Sequence, residues 1–165
     1  MKRSPSLFAL LLMVALSGCA FSVTEGSLSI RIGPGIIEEF EPRKGEGASY
    51  YVGEEVSFIF RSRLSGYVTL ASRNPDGRVE TFARNLFVPA GRTVVLDGRS
   101  VDRRFVADRP TGRHEILATF GEEPAPSSRL SLQGVYSEER WRTAVRSEYR
   151  SPGRTDRATT VLYVR

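Results

Sequence analysis

Serine hydrolase chemistry is the first possibility to test, because the chain has a single histidine that could serve as the general base. That residue is His114, and a Ser/His/Asp triad would have to use it. It follows Arg113 at the start of an alternating segment, and no Gly-x-Ser-x-Gly nucleophile elbow occurs in the sequence. The sequence therefore predicts an ordinary histidine at the edge of a strand and no catalytic residue.

The acidic residues also lack the spacing that catalysis or metal binding needs. They include three adjacent pairs, Glu38-Glu39, Glu54-Glu55 and Glu122-Glu123. Neighbouring residues point to opposite faces of a strand, whereas glycoside hydrolysis needs two acids that face each other across a cleft. Asp97, Asp102 and Asp108 are interleaved with arginines that would repel calcium. One His and one Cys cannot complete a usual zinc site. From the histidine, the acidic residues and the cysteine together, we expect a protein that is not an enzyme and holds no metal or cofactor.

The first 19 residues have the pattern of a secretion signal. Lys2 and Arg3 precede an apolar core from Leu7 to Leu16, which is too short to cross a bilayer core of ~30 Å. Leu16-Ser17-Gly18-Cys19 follows and resembles a bacterial lipobox, whose cysteine is lipidated and becomes the first residue of the mature chain. We expect a signal peptide over 1–18 and a lipidated tether over 19–26.

This anchor predicts where the protein acts. Lipid on Cys19 would hold it in the cell envelope, at the outer membrane or the outer face of the plasma membrane. Cys19 is the only cysteine, so no intrachain disulfide can form. The chain carries a net charge of +5, which favours weak contact with anionic surfaces. Nucleic acid is not an expected partner outside the cytoplasm.

Residues 27–165 are predicted to form one all-β domain. Apolar and polar residues alternate with period two in short segments, and turn signals such as Asn74-Pro75-Asp76-Gly77 separate them. The predicted strands cover residues 28–32, 56–60, 66–71, 79–83, 93–96, 105–107, 114–120 and 158–164. About eight such strands predict an immunoglobulin-like antiparallel β-sandwich, with a closed barrel as the alternative.

One segment departs from the β pattern. Ser137 to Arg150 is predicted to be an amphipathic helix before the last strand, because Ser137 can cap it and Pro152-Gly153 follow it. Arg142, Arg146 and Arg150 would form a ridge along one face of this helix. The ridge could contact an anionic partner, and a solvated face balanced by glutamates is the alternative.

Several short motifs carry a family resemblance. Tyr51-Val52-Gly53-Glu54, Gly66-Tyr67-Val68, Pro75-Asp76-Gly77, Ala90-Gly91 and Pro110-x-Gly112-x-x-Glu115 occur in this order. Over about residues 50–120 the chain resembles domain of unknown function 4384, a bacterial family found in envelope lipoproteins and as a module of larger proteins. The family's Leu-Phe-Pro-Asn stretch is replaced by Phe82-Ala83-Arg84-Asn85. The resemblance implies a fold and a location but no activity.

Together these features predict a lipid-anchored envelope β-sandwich that acts as a non-catalytic binding or assembly module. Its expected partners are the membrane, through Cys19, and an envelope protein or anionic surface polymer. A structural accessory subunit of a larger surface or outer-membrane complex is the alternative. An envelope hydrolase is a more distant one, which a cleft that gathers His114 with acids would favour.

Overall fold

The computed structural model describes residues 35–99, 102–125 and 153–165. In these residues the chain is all-β and has no helix. The strands are β1 (Ile37–Pro42), β2 (Ser49–Tyr50), β3 (Phe58–Ser62), β4 (Gly66–Arg73), β5 (Val79–Val88), β6 (Thr93–Leu96), β7 (Gly112–Gly121) and β8 (Thr155–Val164).

The strands form two sheets that enclose one core. The first has the order β1-β3-β6 and the second the order β2-β8-β7-β4-β5. All pairings are antiparallel except that of β2 with β8. Among the described strands no ladder joins the two sheets into a barrel, so the closed-barrel alternative is wrong for this part of the chain.

Alternating apolar residues build the core between the sheets. Phe58 and Phe60 of β3 contribute from one side, and Leu70, Phe120 and Leu162 from the other. Complete burial of such a side chain contributes about 1.5–3 kcal/mol. Every second residue of β4, β7 and β8 faces this core, because side chains alternate between the faces of a strand.

The β4–β5 hairpin and the close contact of β4 with β7 depend on two glycines. Gly77 adopts a φ of 83° in the turn, and its N–H donates to the Asn74 carbonyl over 2.9 Å. A Cβ on Gly66 would lie 2.5 Å from the Phe120 ring and from the Gly121 carbonyl oxygen. Gly66 therefore lets β7 approach β4 at the end of the sheet opposite the hairpin turn.

Two contacts close the domain where the chain leaves β7 and returns to β8. The side-chain amide of Asn85, a residue with a φ of 52°, bonds both the N–H and the carbonyl of Ala125. Glu122 accepts bonds from the backbone N–H and the guanidinium of Arg154 at 2.8–3.2 Å. These contacts, which we call the closing clamp, hold residues 125 and 154 beside paired strands.

The sequence predicted six of the observed strands and missed two. Strands beginning near residues 56, 66, 79, 93, 114 and 158 are confirmed, whereas β1 and β2 were not predicted. Residues 105–107 were predicted as a strand, but they form only an isolated bridge, between Val106 and Glu55. The expected strand at Leu28–Ile32 and the expected helix at Ser137–Arg150 lie outside the described residues.

Candidate functional site

A cavity of about 410 Å³ lies between the two sheets at the end of the domain that carries the β4–β5 turn. We call it the hairpin-end cavity. The segment 103–109 forms one wall, and the first residues of β7 and the last of β8 form another. Its apolar lining includes Phe58, Phe82, Phe105, Ile116 and Leu162. Phe82 and Phe105 meet edge to face, with ring centroids 5.1 Å apart.

Every second residue of β4 and β7 faces the core. Where these core-facing residues reach the cavity, polar side chains take the place of apolar ones. Val68 and Leu70 face the core, so Ser72 is the next residue of the same row. Ile116 faces the core as well, and His114 precedes it by two residues. His114 is 6% exposed, so it is a buried residue of the cavity lining. It is the third residue of β7, near the start of a strand as the sequence predicts.

The hydrogen bonds of His114 settle its role in the lining. Its Nε2 lies 2.7 Å from the Pro110 carbonyl oxygen. A carbonyl can only accept, so Nε2 donates, and in the tautomer that carries its proton on Nε2 the Nδ1 atom accepts. Nδ1 lies 3.4 Å from the Ser72 hydroxyl, and that hydroxyl also lies 2.9 Å from Asn74 Oδ1. The hydroxyl has one proton for two acceptors, so the shorter bond to Asn74 competes with activation of Ser72.

Charged residues surround the opening of the cavity. The lining contains the arginines Arg78, Arg103, Arg104 and Arg109 and the acids Glu80 and Asp108. Four positive against two negative charges leave a net charge of +2 on the lining. Neither acid bonds the His114 ring, whose partners are Ser72 and the Pro110 carbonyl.

Ion pairs neutralise only part of this charge. Arg78 pairs with Glu80 over 2.8 Å, and Arg104 pairs with Glu55 over 3.0 Å. In residues 35–99, 102–125 and 153–165, no ion pair is found for Arg103 or Arg109. The Arg78 Nε and the Thr81 Oγ1, both on lining residues, are buried and have no hydrogen-bond partner among the residues that the structure describes. The cavity thus combines aromatic and aliphatic side chains with polar residues and excess positive charge.

Each of the three adjacent acidic pairs contributes a carboxylate to an ion pair. Glu38 contacts Arg61 and Arg63. Glu54 pairs with Lys44, and this hydrogen bond lowers the pKa of the Glu54 carboxyl. Hydrogen bonds from the Arg154 side chain and backbone likewise lower the pKa of Glu122. These carboxylates hold surface segments in place and do not face a shared cleft.

Three tyrosines in or beside the resemblance motifs have different environments. Tyr50, Tyr51 and Tyr67 are aromatic residues of a kind that usually packs in a sandwich core, so core packing is the interpretation that the sequence favours. Tyr50 is 2% exposed and belongs to the core, whereas Tyr51 is 72% exposed and does not. Tyr67 is half-buried and packs edge to face with Phe87.

The residues that the sequence singled out as sites are not described by the structure. Cys19 and the ridge of Arg142, Arg146 and Arg150 lie outside the described residues. In the part of the chain that is described, no three His, Cys, Asp or Glu side chains cluster as metal ligands. That part likewise holds no helix long and apolar enough to span a membrane. The hairpin-end cavity was missed, although the alternation from His114 to Phe120 already placed His114 in the core-facing row.

Comparison with known proteins agrees with the resemblance noted from the motifs. No curated protein and no solved structure matches the chain. The matching segment begins in β2 and ends just after β7, so it includes most of the cavity lining but not β1 or β8. Residues 49–124 match the family model described as Domain of unknown function (DUF4384).

Proposed function

We propose that this protein is a lipid-anchored, non-catalytic binding module of the cell envelope, with the hairpin-end cavity as its ligand site. The cavity is the observation that carries the proposal, because a concave pocket of several hundred Å³ that combines apolar side chains with polar groups is a typical candidate for a ligand site. An immunoglobulin-like sandwich is the architecture we propose, supported by two mainly antiparallel sheets around one core.

The described chain enters the domain at the end opposite the cavity. Ile37, at the start of β1, pairs with Ser62 at the end of β3, and Pro42 pairs with Phe58 at the start of β3. Phe58 lines the cavity, so the start of β1 lies away from it and does not cover its opening.

Cys19→Ala tests the anchor. It should abolish lipidation and move the protein from the detergent phase to the aqueous phase in detergent phase partitioning. A variant that still enters the detergent phase would mean that another element holds the protein at the membrane.

The ligand site is tested by filling the cavity. Ser72→Phe places a large side chain on the core-facing row of β4 inside the cavity, and Thr93→Phe makes a similar change on an exposed residue of β6. Full-length protein would be purified from envelopes, and its bound small molecules identified by native mass spectrometry. We expect a co-purified molecule with the wild type and Thr93→Phe but not with Ser72→Phe. Equal retention by all three proteins would refute the site.

A structural accessory subunit remains the alternative function, with an envelope protein or anionic surface polymer as the partner. It predicts co-purification with another envelope component at fixed stoichiometry, and no effect of Ser72→Phe on that complex. A partner lost on Ser72→Phe would instead be bound at the cavity.

A hydrolase is the more distant alternative, and the pairing of Ser72 with His114 at 3.4 Å is the observation in its favour. The competing bond from Ser72 to Asn74 is the observation against it. Labelling with a fluorophosphonate probe distinguishes a serine hydrolase from a non-catalytic binding module. Labelling that disappears in Ser72→Ala and in His114→Gln would establish a nucleophile and overturn the non-catalytic proposal.

A further inference from the structure

We propose that the hairpin-end cavity binds small amphipathic organic anions, whose acidic group lies at Arg78 and whose apolar part lies against the phenylalanines. This inference rests on the proposed function and adds the chemical class of the ligand.

The first argument is electrostatic. The lining residues carry a net charge of +2, which becomes +1 when Glu55, the partner of Arg104, is included, and Arg103 and Arg109 have no ion-pair partner within the described ranges. A cavity with low-dielectric walls and one sign of excess charge concentrates ions of the opposite sign. The arginines would repel a cationic ligand, and the lining contains only two carboxylates, Glu80 and Asp108, that could attract one.

The second argument concerns Arg78. Its Nη2 donates to Glu80 and its side chain is 43% exposed, whereas its Nε is buried and has no acceptor among the described residues. A buried donor without a partner costs about 1–3 kcal/mol, and an oxygen of a bound acid that shifted the side chain enough to reach Nε would remove this cost. Guanidinium groups bind carboxylates and phosphates through two parallel hydrogen bonds, so a ligand oxygen at Nε would extend contacts that Arg78 already makes.

The third argument concerns the interior. Phe58, Phe82 and Phe105 line the cavity together with Ile116 and Leu162. These side chains offer no hydrogen bonds, so the part of a ligand that lies against them must be apolar to avoid desolvating polar groups without partners. An apolar or aromatic group beside the acid would fill it. Fatty acids share this chemistry, and so do peptides whose carboxyl-terminal residue is aromatic, because its free α-carboxylate lies beside the aromatic side chain.

A pair of fluorescent probes separates the charge from the apolar part. 8-Anilinonaphthalene-1-sulfonate is anionic, and N-phenyl-1-naphthylamine has the same rings without the sulfonate. Both would be titrated into the full mature chain carrying Cys19→Ala, which needs no detergent. We expect the sulfonate to bind at one site and about tenfold more tightly than the neutral amine, the factor that one charge-assisted hydrogen bond provides.

Two substitutions should change the affinity for the sulfonate in opposite directions. Arg78→Gln removes the cation and leaves Glu80 unpaired, so it should weaken sulfonate binding by about tenfold and change binding of the neutral amine by less than twofold. Glu80→Gln removes the competing carboxylate and should strengthen sulfonate binding. Arg113→Gln is the control, because Arg113 lies outside the cavity and pairs with Glu115. Circular dichroism and thermal unfolding would confirm that each variant is folded.

The outcomes distinguish this inference from the proposed function. Equal affinity for both probes, or no effect of Arg78→Gln, would overturn the anion proposal while the cavity remained a binding site. If neither probe bound, both proposals would fail.

Displacement of the sulfonate identifies the source of the natural ligand. Decanoate would be compared with decanol, and N-acetylphenylalanine with its amide. Displacement by decanoate alone indicates a lipid-derived acid, and displacement by N-acetylphenylalanine alone indicates a peptide carboxyl terminus. Displacement by neither acid would mean that the sulfonate binds adventitiously, which overturns the inference.

Discussion

Asp156 connects the two sheets through a hydrogen bond that spans most of the chain. It lies on β8 and is 5% exposed. Its Oδ2 accepts from the Ile37 N–H of β1 over 2.8 Å, and its Oδ1 accepts from the Arg157 N–H over 2.9 Å. Ile37 is 1% exposed and stands where the register between β1 and β3 shifts. The carboxylate thus supplies an acceptor at a point where the β1–β3 ladder is irregular.

Asp156→Ala should therefore be strongly destabilising. A hydrogen bond to a charged group contributes about 1.5–3 kcal/mol, and the Ile37 N–H loses this acceptor in a buried environment. We expect the free energy of unfolding to fall by about 3 kcal/mol. Asp156→Asn keeps one oxygen that can face Ile37, so it should cost about 1 kcal/mol.

Urea unfolding followed by circular dichroism measures both values. Thermal unfolding should show a decrease of about 10 °C in Tm for Asp156→Ala, since 1 kcal/mol shifts a domain of this size by a few degrees. Glu123→Ala, at an exposed residue, is the control and should change little. A cost below about 1 kcal/mol for Asp156→Ala, or equal costs for Ala and Asn, would refute the role assigned to this carboxylate.

Three further predictions concern other parts of the chain. Glu122→Gln should destabilise the protein at neutral pH. Because Arg154 lowers the pKa of folded Glu122, the difference from wild type in pH-dependent urea unfolding should vanish as the pH falls from the ordinary glutamate range through the lowered pKa. A difference that persisted in acid would contradict this. A fragment of residues 49–124 should give the circular dichroism spectrum of an unfolded chain, because it lacks β8, which pairs with β7 and β2. A cooperative unfolding transition of this fragment would contradict the topology. Trp141→Ala should cost about 3 kcal/mol in urea unfolding if the predicted helix packs on the domain through that residue, and iodide should quench the fluorescence of wild-type Trp141 poorly. Complete quenching would mean that Trp141 is exposed.

Much of the second sheet could be predicted from alternation and turn residues. In β7, buried Ile116, Ala118 and Phe120 occupy alternate positions. β1 could not be found in this way, because its sequence IEEFEP contains three glutamates and its register shifts between Ile37 and Glu39. β2 has only two residues and depends on a parallel pairing with β8, more than a hundred positions away. Period-two patterns carry no information on such distant partners.

The cavity was harder to predict than the strands. The alternation placed His114 in a core-facing row, but the predicted strand at 66–71 ended before Ser72, and the sequence could not show that the two rows meet at one opening. The wall at 103–109 was predicted to contain a strand at 105–107. It forms one bridge, between Val106 and Glu55, with backbone hydrogen bonds to residues 53–56, and its residues line the cavity.

The closing clamp makes residues 126–152 an insertion between two strands that pair directly. Gly121 pairs with Thr155, so β7 and β8 keep their register whatever chain connects them. The entropic cost of closing a loop rises only slowly with its length when its ends are already fixed. Substitution, shortening or lengthening of this insertion should therefore leave the cavity intact. The domain can acquire a new contact surface there, including the predicted arginine ridge, independently of the ligand that its cavity binds.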